Sequence, residues 1–191
     1  VIKLRKKPII YLDTNVLRDC VTKRNYNSIH LMNFIKKKKW RCVTSTFSIM
    51  ELHDTEKDYE FFIKKIKEGY EINEILSARR QINLNEMSLL KITGKIDMFL
   101  EKYKFLETWN LERDDDWVLA NIISSSTNLS AEDSIHLATA FMTGSNLIVT
   151  RDGHFKKEGE TFIKENGLWD KIRICEPEKA IDTLREMGFE I

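Results

Sequence analysis

An α/β fold with a parallel sheet is what this sequence predicts, on three observations. Four short apolar runs rich in β-branched or aromatic residues read as strands, at 8–12, 41–44, 147–150 and 172–175. Longer stretches with helical period lie between them, marked by Ile29, Met32, Phe34 and Ile35 in one and by Ile135, Leu137, Ala138 and Phe141 in another. Strands that alternate with helices pair in parallel, because each crossover helix carries the chain back to the same end of the sheet. Finally, 42% of the 191 residues are hydrophobic while only 2 are Pro and 7 are Gly, which suits a packed globule and excludes collagenous, low-complexity and disordered chains.

In chain order, the basic start Val1-Ile2-Lys3-Leu4-Arg5-Lys6-Lys7 precedes the first strand, whose apolar stretch is broken at Asp13 and is too short for a signal-peptide core. The second strand follows Lys36 to Lys39 and Trp40. From about 54 to 103 there is no convincing strand. Phe61, Ile63 and Ile66, then Met87, Leu90, Ile96, Phe99 and Leu100, recur at helical spacing, with no Pro and two Gly, Gly69 and Gly94. The expectation is one domain over 1–191 carrying a helical insertion of two or three helices, whose apolar face at Phe61, Phe62 and Ile66 is available to a partner. A weaker fifth strand falls at 104–111. Asp114, Asp115 and Asp116 open the next helix, where three acids cap the amides and match the dipole. Another helix begins at Ser130 and leads to the strand at 147–150.

Charge and cysteine content narrow the function. Thirty-one Lys and Arg against 30 Asp and Glu leave +1, so no global field recruits nucleic acid or membrane. No run approaches the roughly 20 apolar residues of a membrane span. Cys20, Cys42 and Cys175 are odd in number and far apart, which fits neither a disulfide framework nor a metal ribbon. The expected setting is a reducing one, for a soluble cytoplasmic protein whose initiator Met is missing from this sequence.

Ligand sites in such sheets lie beyond the carboxyl ends of the strands, and four acids fall there. Asp13 follows the first strand in Ile10-Tyr11-Leu12-Asp13-Thr14-Asn15, and Asp152 follows the fourth in Val149-Thr150-Arg151-Asp152. Glu51 lies a turn or two into the helix after the second strand, and Asp133 sits in the first turn after Ser130. Each also has a structural reading: Asp13 as a helix cap, Asp133 as a dipole partner, Asp152 in an Asp-Gly turn, Glu51 on a solvated face. Brought within about 5 Å, such carboxylates repel by roughly 3 kcal/mol per pair at an effective dielectric near 20. A divalent cation removes that repulsion, and oxygen-only ligands suit Mg²⁺ or Mn²⁺.

Leu12-Asp13-Thr14-Asn15, Glu51 after an Ile/Met pair, Glu132-Asp133-Ser134-Ile135-His136-Leu137-Ala138 and Val149-Thr150-Arg151-Asp152 with Phe155 beyond occur in order, and together they resemble a PIN domain over nearly the whole chain. The resemblance implies a five-stranded parallel sheet between helical layers in an α/β/α arrangement. It implies that Asp13, Glu51, Asp133 and Asp152 are catalytic and hold Mg²⁺ or Mn²⁺ to cut single-stranded RNA, with Asn15 and Thr150 as polar helpers. It also implies a homodimer and, for the VapC type of toxin nuclease, an antitoxin or other protein partner. Glu51 and Asp133 stand 82 residues apart, longer than expected for compact VapC-type toxins.

Other features weigh less. His53 and His154 each follow an acid by two, but no HExxH or paired Cys/His spacing supports zinc. His136, three beyond Asp133, can share its helical face, although a histidine hydrogen-bonded beside the core has the same pattern. Basic residues at Arg5-Lys6-Lys7, at Lys36, Lys37, Lys38 and Lys39 beside Trp40 and Arg41, at Lys64-Lys65 and at Arg151 are candidates for gripping an RNA backbone. A phosphatase of the haloacid dehalogenase type needs a second Asp where Asn15 stands. A phosphorelay receiver carries its acceptor after a middle strand. The remaining alternative is a non-catalytic PIN-like scaffold that binds RNA or protein.

Overall fold

The computed structural model describes residues 7–79 and 82–191, so the basic residues Arg5 and Lys6 lie outside the described residues. Five strands form one parallel sheet: β1 (Ile9–Leu12), β2 (Arg41–Ser45), β3 (Leu106–Trp109), β4 (Leu147–Val149) and β5 (Arg173–Cys175). Their order is β3-β2-β1-β4-β5, with Ile10 opposite both Cys42 and Leu147 in register. The chain winds outward from β1 to one edge and then crosses to the other, which makes the carboxyl end of β1, between β2 and β4, the topological switch point.

Alternation along the strands divides the core. Ile10, Leu12, Cys42, Leu147, Val149 and Cys175 point into one apolar layer, whereas Tyr11, Val43, Ile148 and Ile174 point into the other. The first layer is covered by α1 (Thr14–Thr22), α2 (Tyr26–Lys38), α3 (Thr46–Lys67), α4 (Ile72–Ala78), α5 (Glu86–Lys102) and the terminal α9 (Ala180–Glu186). The second is covered by α6 (Asp114–Ser126), α7 (Ala131–Met142) and α8 (Gly153–Glu165). This is the expected α/β/α arrangement. At Gly159 the α8 backbone comes so close to β5 that a Cβ would lie 2.6 Å from Cδ1 of Ile174.

Polar side chains start the helices. Asp13, Asn25, Ser45, Asn85, Ser130 and Asp152 each accept a hydrogen bond from an amide of the first turn they cap. Asp116 accepts from the amides of Glu112 and Arg113 and from the Arg113 guanidinium, so the Asp114–Asp116 run opens α6 as expected.

The helical segment is present, but no boundary falls at 54. Capped by Ser45, α3 runs 22 residues from the carboxyl edge of the sheet to Lys67, so the helix that bears Glu51 also begins the helical segment. Phe61, Ile75, Ile92, Ile96 and Phe99 join the same apolar layer as Ile10 and Leu17. Phe61 is therefore core and Phe62 packs against it, which removes both from the expected docking face; Ile66 alone of that trio is exposed. The large exposed apolar residues of α5 are Met87, Leu89, Leu90 and Met98. Glu56, buried on α3, pairs with Arg18 of α1 at 3.2 Å and Lys95 of α5 at 2.5 Å, joining three helices.

The three thiols are free and buried: Cys20 in α1, Cys42 in β2 and Cys175 in β5. Burial pushes the Cys20 and Cys175 thiols up to about 12 and Cys42 higher still. No described helix is long and apolar enough to cross a membrane.

Candidate functional site

Asp13 is the residue after β1 and the cap of α1, and only 5% of it is exposed. Its Oδ1 accepts from the Thr14 amide at 2.6 Å, while Oδ2 accepts from the Thr150 hydroxyl at 2.6 Å and from the Asn15 amide group. Asn15 also donates to Thr150 Oγ1 at 3.1 Å, and its own Oδ1 accepts from the Arg151 amide at 2.8 Å. Asn15 from the first turn of α1 and Thr150 from just beyond β4 thus fix the Asp13 carboxylate.

Glu51 approaches from α3. Its Oε2 accepts from the Thr14 hydroxyl at 2.5 Å and from His136 Nε2 at 2.8 Å. Asp133, in the first turn of α7, is near enough to Asp13 and Asp152 for their charges to act on it. Asp152 caps α8, accepting from the amides of His154 and Phe155 at 2.8 and 2.9 Å. All four acids therefore occupy the carboxyl edge, and two of them are helix caps as well.

His136 is the residue whose importance the sequence understated. It is 2% exposed, with Nε2 4.0 Å from Asp13 Oδ1 and Nδ1 2.8 Å from the Tyr11 hydroxyl and 3.2 Å from Ser45 Oγ. Burial would lower its pKa, but the hydrogen bond to Glu51 and the charges of Asp13, Glu51 and Asp133 outweigh burial and raise it. Burial also acts on the acids. It raises Asp13 and Asp133 above the ordinary carboxylate range, whereas at Glu51 the bond and charge of His136, with the Thr14 hydroxyl, overcome burial and lower it. When protonated, His136 places a positive charge 2.8 Å from Glu51 and 4.0 Å from Asp13. Among the described residues no group of three or more His, Cys, Asp or Glu side chains is already arranged to hold an ion. The donor set remains one of carboxylate oxygens, which suits a hard divalent cation.

The basic candidates divide. Arg151 lies beside the site, but its guanidinium is bound to the buried Asp19 carboxylate at 2.9 Å, a group that also accepts from Ser28 and Arg24. Lys36 to Lys39 end α2 just before β2 begins, at the amino edge of the sheet, so the structure does not bring them to the acids. Trp40 is no stacking platform there, because it is buried edge-on to Phe34, and Arg41 is bonded to Glu107. Lys64 and Lys65 both pair with Glu68 at the far end of α3. His154 approaches the Asn128 carbonyl at 2.9 Å, away from any metal-like cluster among the described residues.

Comparison with solved structures fixes the fold type. The crystal structure of VapBC2 from Rickettsia felis, bound to a DNA fragment from their promoter, aligns over 88% of this chain and 98% of that chain, with a TM-score of 0.52 and 13% identity. FitAcB from Neisseria gonorrhoeae aligns over 88% and 97%, with a TM-score of 0.53 and 15% identity. The fold is PIN-like. No family model matches the chain, and no curated protein matches it. The PIN-like architecture accounts for where the acids fall: β1, α3, α7 and α8 each deliver one to the edge beyond the central strand.

Proposed function

We propose that this chain is a Mg²⁺- or Mn²⁺-dependent endoribonuclease that hydrolyses phosphodiester bonds of single-stranded RNA, as the toxin of a toxin–antitoxin pair. The observation that carries the reading is the buried Asp13 at the switch point, held by Thr14, Asn15 and Thr150, with Glu51 and Asp133 brought near it on two other helices. Asp13, Glu51, Asp133 and Asp152 are the residues that would hold the ion. A divalent ion bound there supplies charge stabilisation at the phosphoryl oxygens and a more acidic water. The chain's own residues do the positioning: Thr150 and Asn15 hold Asp13, while Thr14 and His136 orient Glu51. The toxin role, the antitoxin and a homodimer rest on the resemblance to VapC-type nucleases and on the fold shared with VapBC2.

The test is cleavage of structured and unstructured RNA by the purified chain with Mn²⁺ or Mg²⁺, beside an Asp13→Asn variant prepared identically. Cutting of unstructured RNA is expected, lost on chelation and absent in the variant. Full activity after exhaustive chelation, or an unchanged rate in the variant, overturns the reading. Induced expression should arrest growth, and Asp13→Asn should relieve the arrest.

A further inference from the structure

Beside the acids lies a cleft of about 280 Å³ that the proposed chemistry leaves unused. Its walls come from the start of α3, the end of β3 and the start of α6, with α7 behind, and include Phe47, Met50, Trp109, Asn110, Glu112 and Trp117. Two tryptophans stand at its mouth, Trp109 38% and Trp117 47% exposed. Two partly exposed indoles in one concavity offer ring faces on which a flat ligand can stack. No Lys or Arg lines the cleft, and its one charged group is the Glu112 carboxylate, so it repels phosphate instead of gripping it.

The cleft adjoins the acid site through two residues of its wall, Ser45 and Phe47, which both contact His136. Trp109 is the register partner of Ser45, which caps α3 and lies 3.2 Å from His136. The Phe47 ring, on the cleft wall, sits 5.8 Å from the His136 ring, which holds Glu51 on its other side.

We propose that this cleft binds one nucleobase of the RNA strand whose backbone crosses the acids, an inference that rests on the nuclease reading above. Aromatic faces without cations select the base and exclude the phosphate. The edge of the stacked base meets Asn110, which donates and accepts, and Glu112, which only accepts. A carboxylate acceptor favours a base bearing an exocyclic amino group, cytosine above all, over uracil. Trp109 and Trp117 are then binding residues and Glu112 sets base preference.

The experiment measures binding without divalent ions, so that it is independent of cleavage. Hexacytidine, hexauridine and an abasic hexamer are titrated into the full chain and into the Trp109→Ala, Trp117→Ala, Trp117→Phe and Glu112→Gln variants, each first checked for an unchanged melting temperature. Loss of one stack should weaken hexacytidine binding about tenfold in either alanine variant. Trp117→Phe should restore most of it, Glu112→Gln should narrow the gap between cytidine and uridine, and the abasic hexamer should not distinguish the variants from the parent. Equal hexacytidine affinity in parent and alanine variants overturns the subsite while leaving the nuclease reading intact. Alanine variants that change sedimentation but not RNA affinity overturn it too, because the cleft then belongs to an interface between copies. A parent that neither binds nor cuts RNA removes the nuclease reading and the subsite together.

Discussion

Asp152 accepts from the amides of His154 and Phe155, so its carboxylate begins α8 whatever else it does. Asn caps a helix as well as Asp, whereas Ala does not. Asp152→Asn should therefore keep the melting temperature of the ion-free protein, and Asp152→Ala should cost about 1 kcal/mol, roughly 2–4 °C in scanning calorimetry. An alanine variant that melts with the parent would refute the cap. The cap and the ligand role are compatible, because an N-cap uses one face of the carboxylate. At this scale the sequence was informative where chemistry and position coincide: Asp13 and Asp152 stand out because an acid ends an apolar strand. It understated His136. Nothing local says that a histidine on α7 will meet Glu51 from 85 residues away, and only its spacing of three from Asp133 hinted at it. Trp109 and Trp117 were hidden similarly, one in the weak strand and one behind three acids read as a cap.

Helices and strands differ in how openly they announce themselves. The four strongest strands lie within a residue or so of the expected places, since a short β-branched run between turns has few other solutions. The segment from 54 to 103 was legible as helical, but its boundary was not, because α3 keeps one periodicity from the acid site to Lys67 and no Gly or Pro marks where it leaves the sheet. Two element-level tests follow. Glu56 holds α1 and α5 to α3, so Glu56→Ala should cost about 2–3 kcal/mol in urea unfolding, as for charge-assisted hydrogen bonds. A loss below about 0.5 kcal/mol, the usual range of surface substitutions, would show the clamp to be dispensable. At α6, the hydrogen bond and charge of Arg113 hold Asp116 below the ordinary carboxylate value of 3.8. A carboxylate depressed in the folded state adds stability above its unfolded pKa and loses it as pH falls through the lower folded value. The parent should therefore lose more stability than Asp116→Asn as pH drops below about 4, and parallel curves would contradict the assignment.

For the molecule as a whole, the carboxyl edge concentrates negative charge on a chain with a net charge of only +1. If that edge takes up a divalent ion, the folded state gains by mass action. Mn²⁺ at a hundred times its dissociation constant should add about 2.7 kcal/mol, a rise of roughly 5–10 °C in melting temperature. Asp13→Asn should shrink that rise, and an unchanged shift would place the ion elsewhere. The buried cysteines carry a different consequence. With their protons held so tightly, Cys20, Cys42 and Cys175 react with a thiol reagent only when the structure around them opens. They sit on the inner face of a helix, in an inner strand and in an edge strand, so the chain carries three internal clocks set at different depths. Peptide-resolved labelling under native conditions should tag Cys175, at the sheet's edge, ahead of Cys42, whose modification should keep pace with complete unfolding. Which clock runs first would tell where this protein begins to come apart, with no substitution made and no label added beforehand.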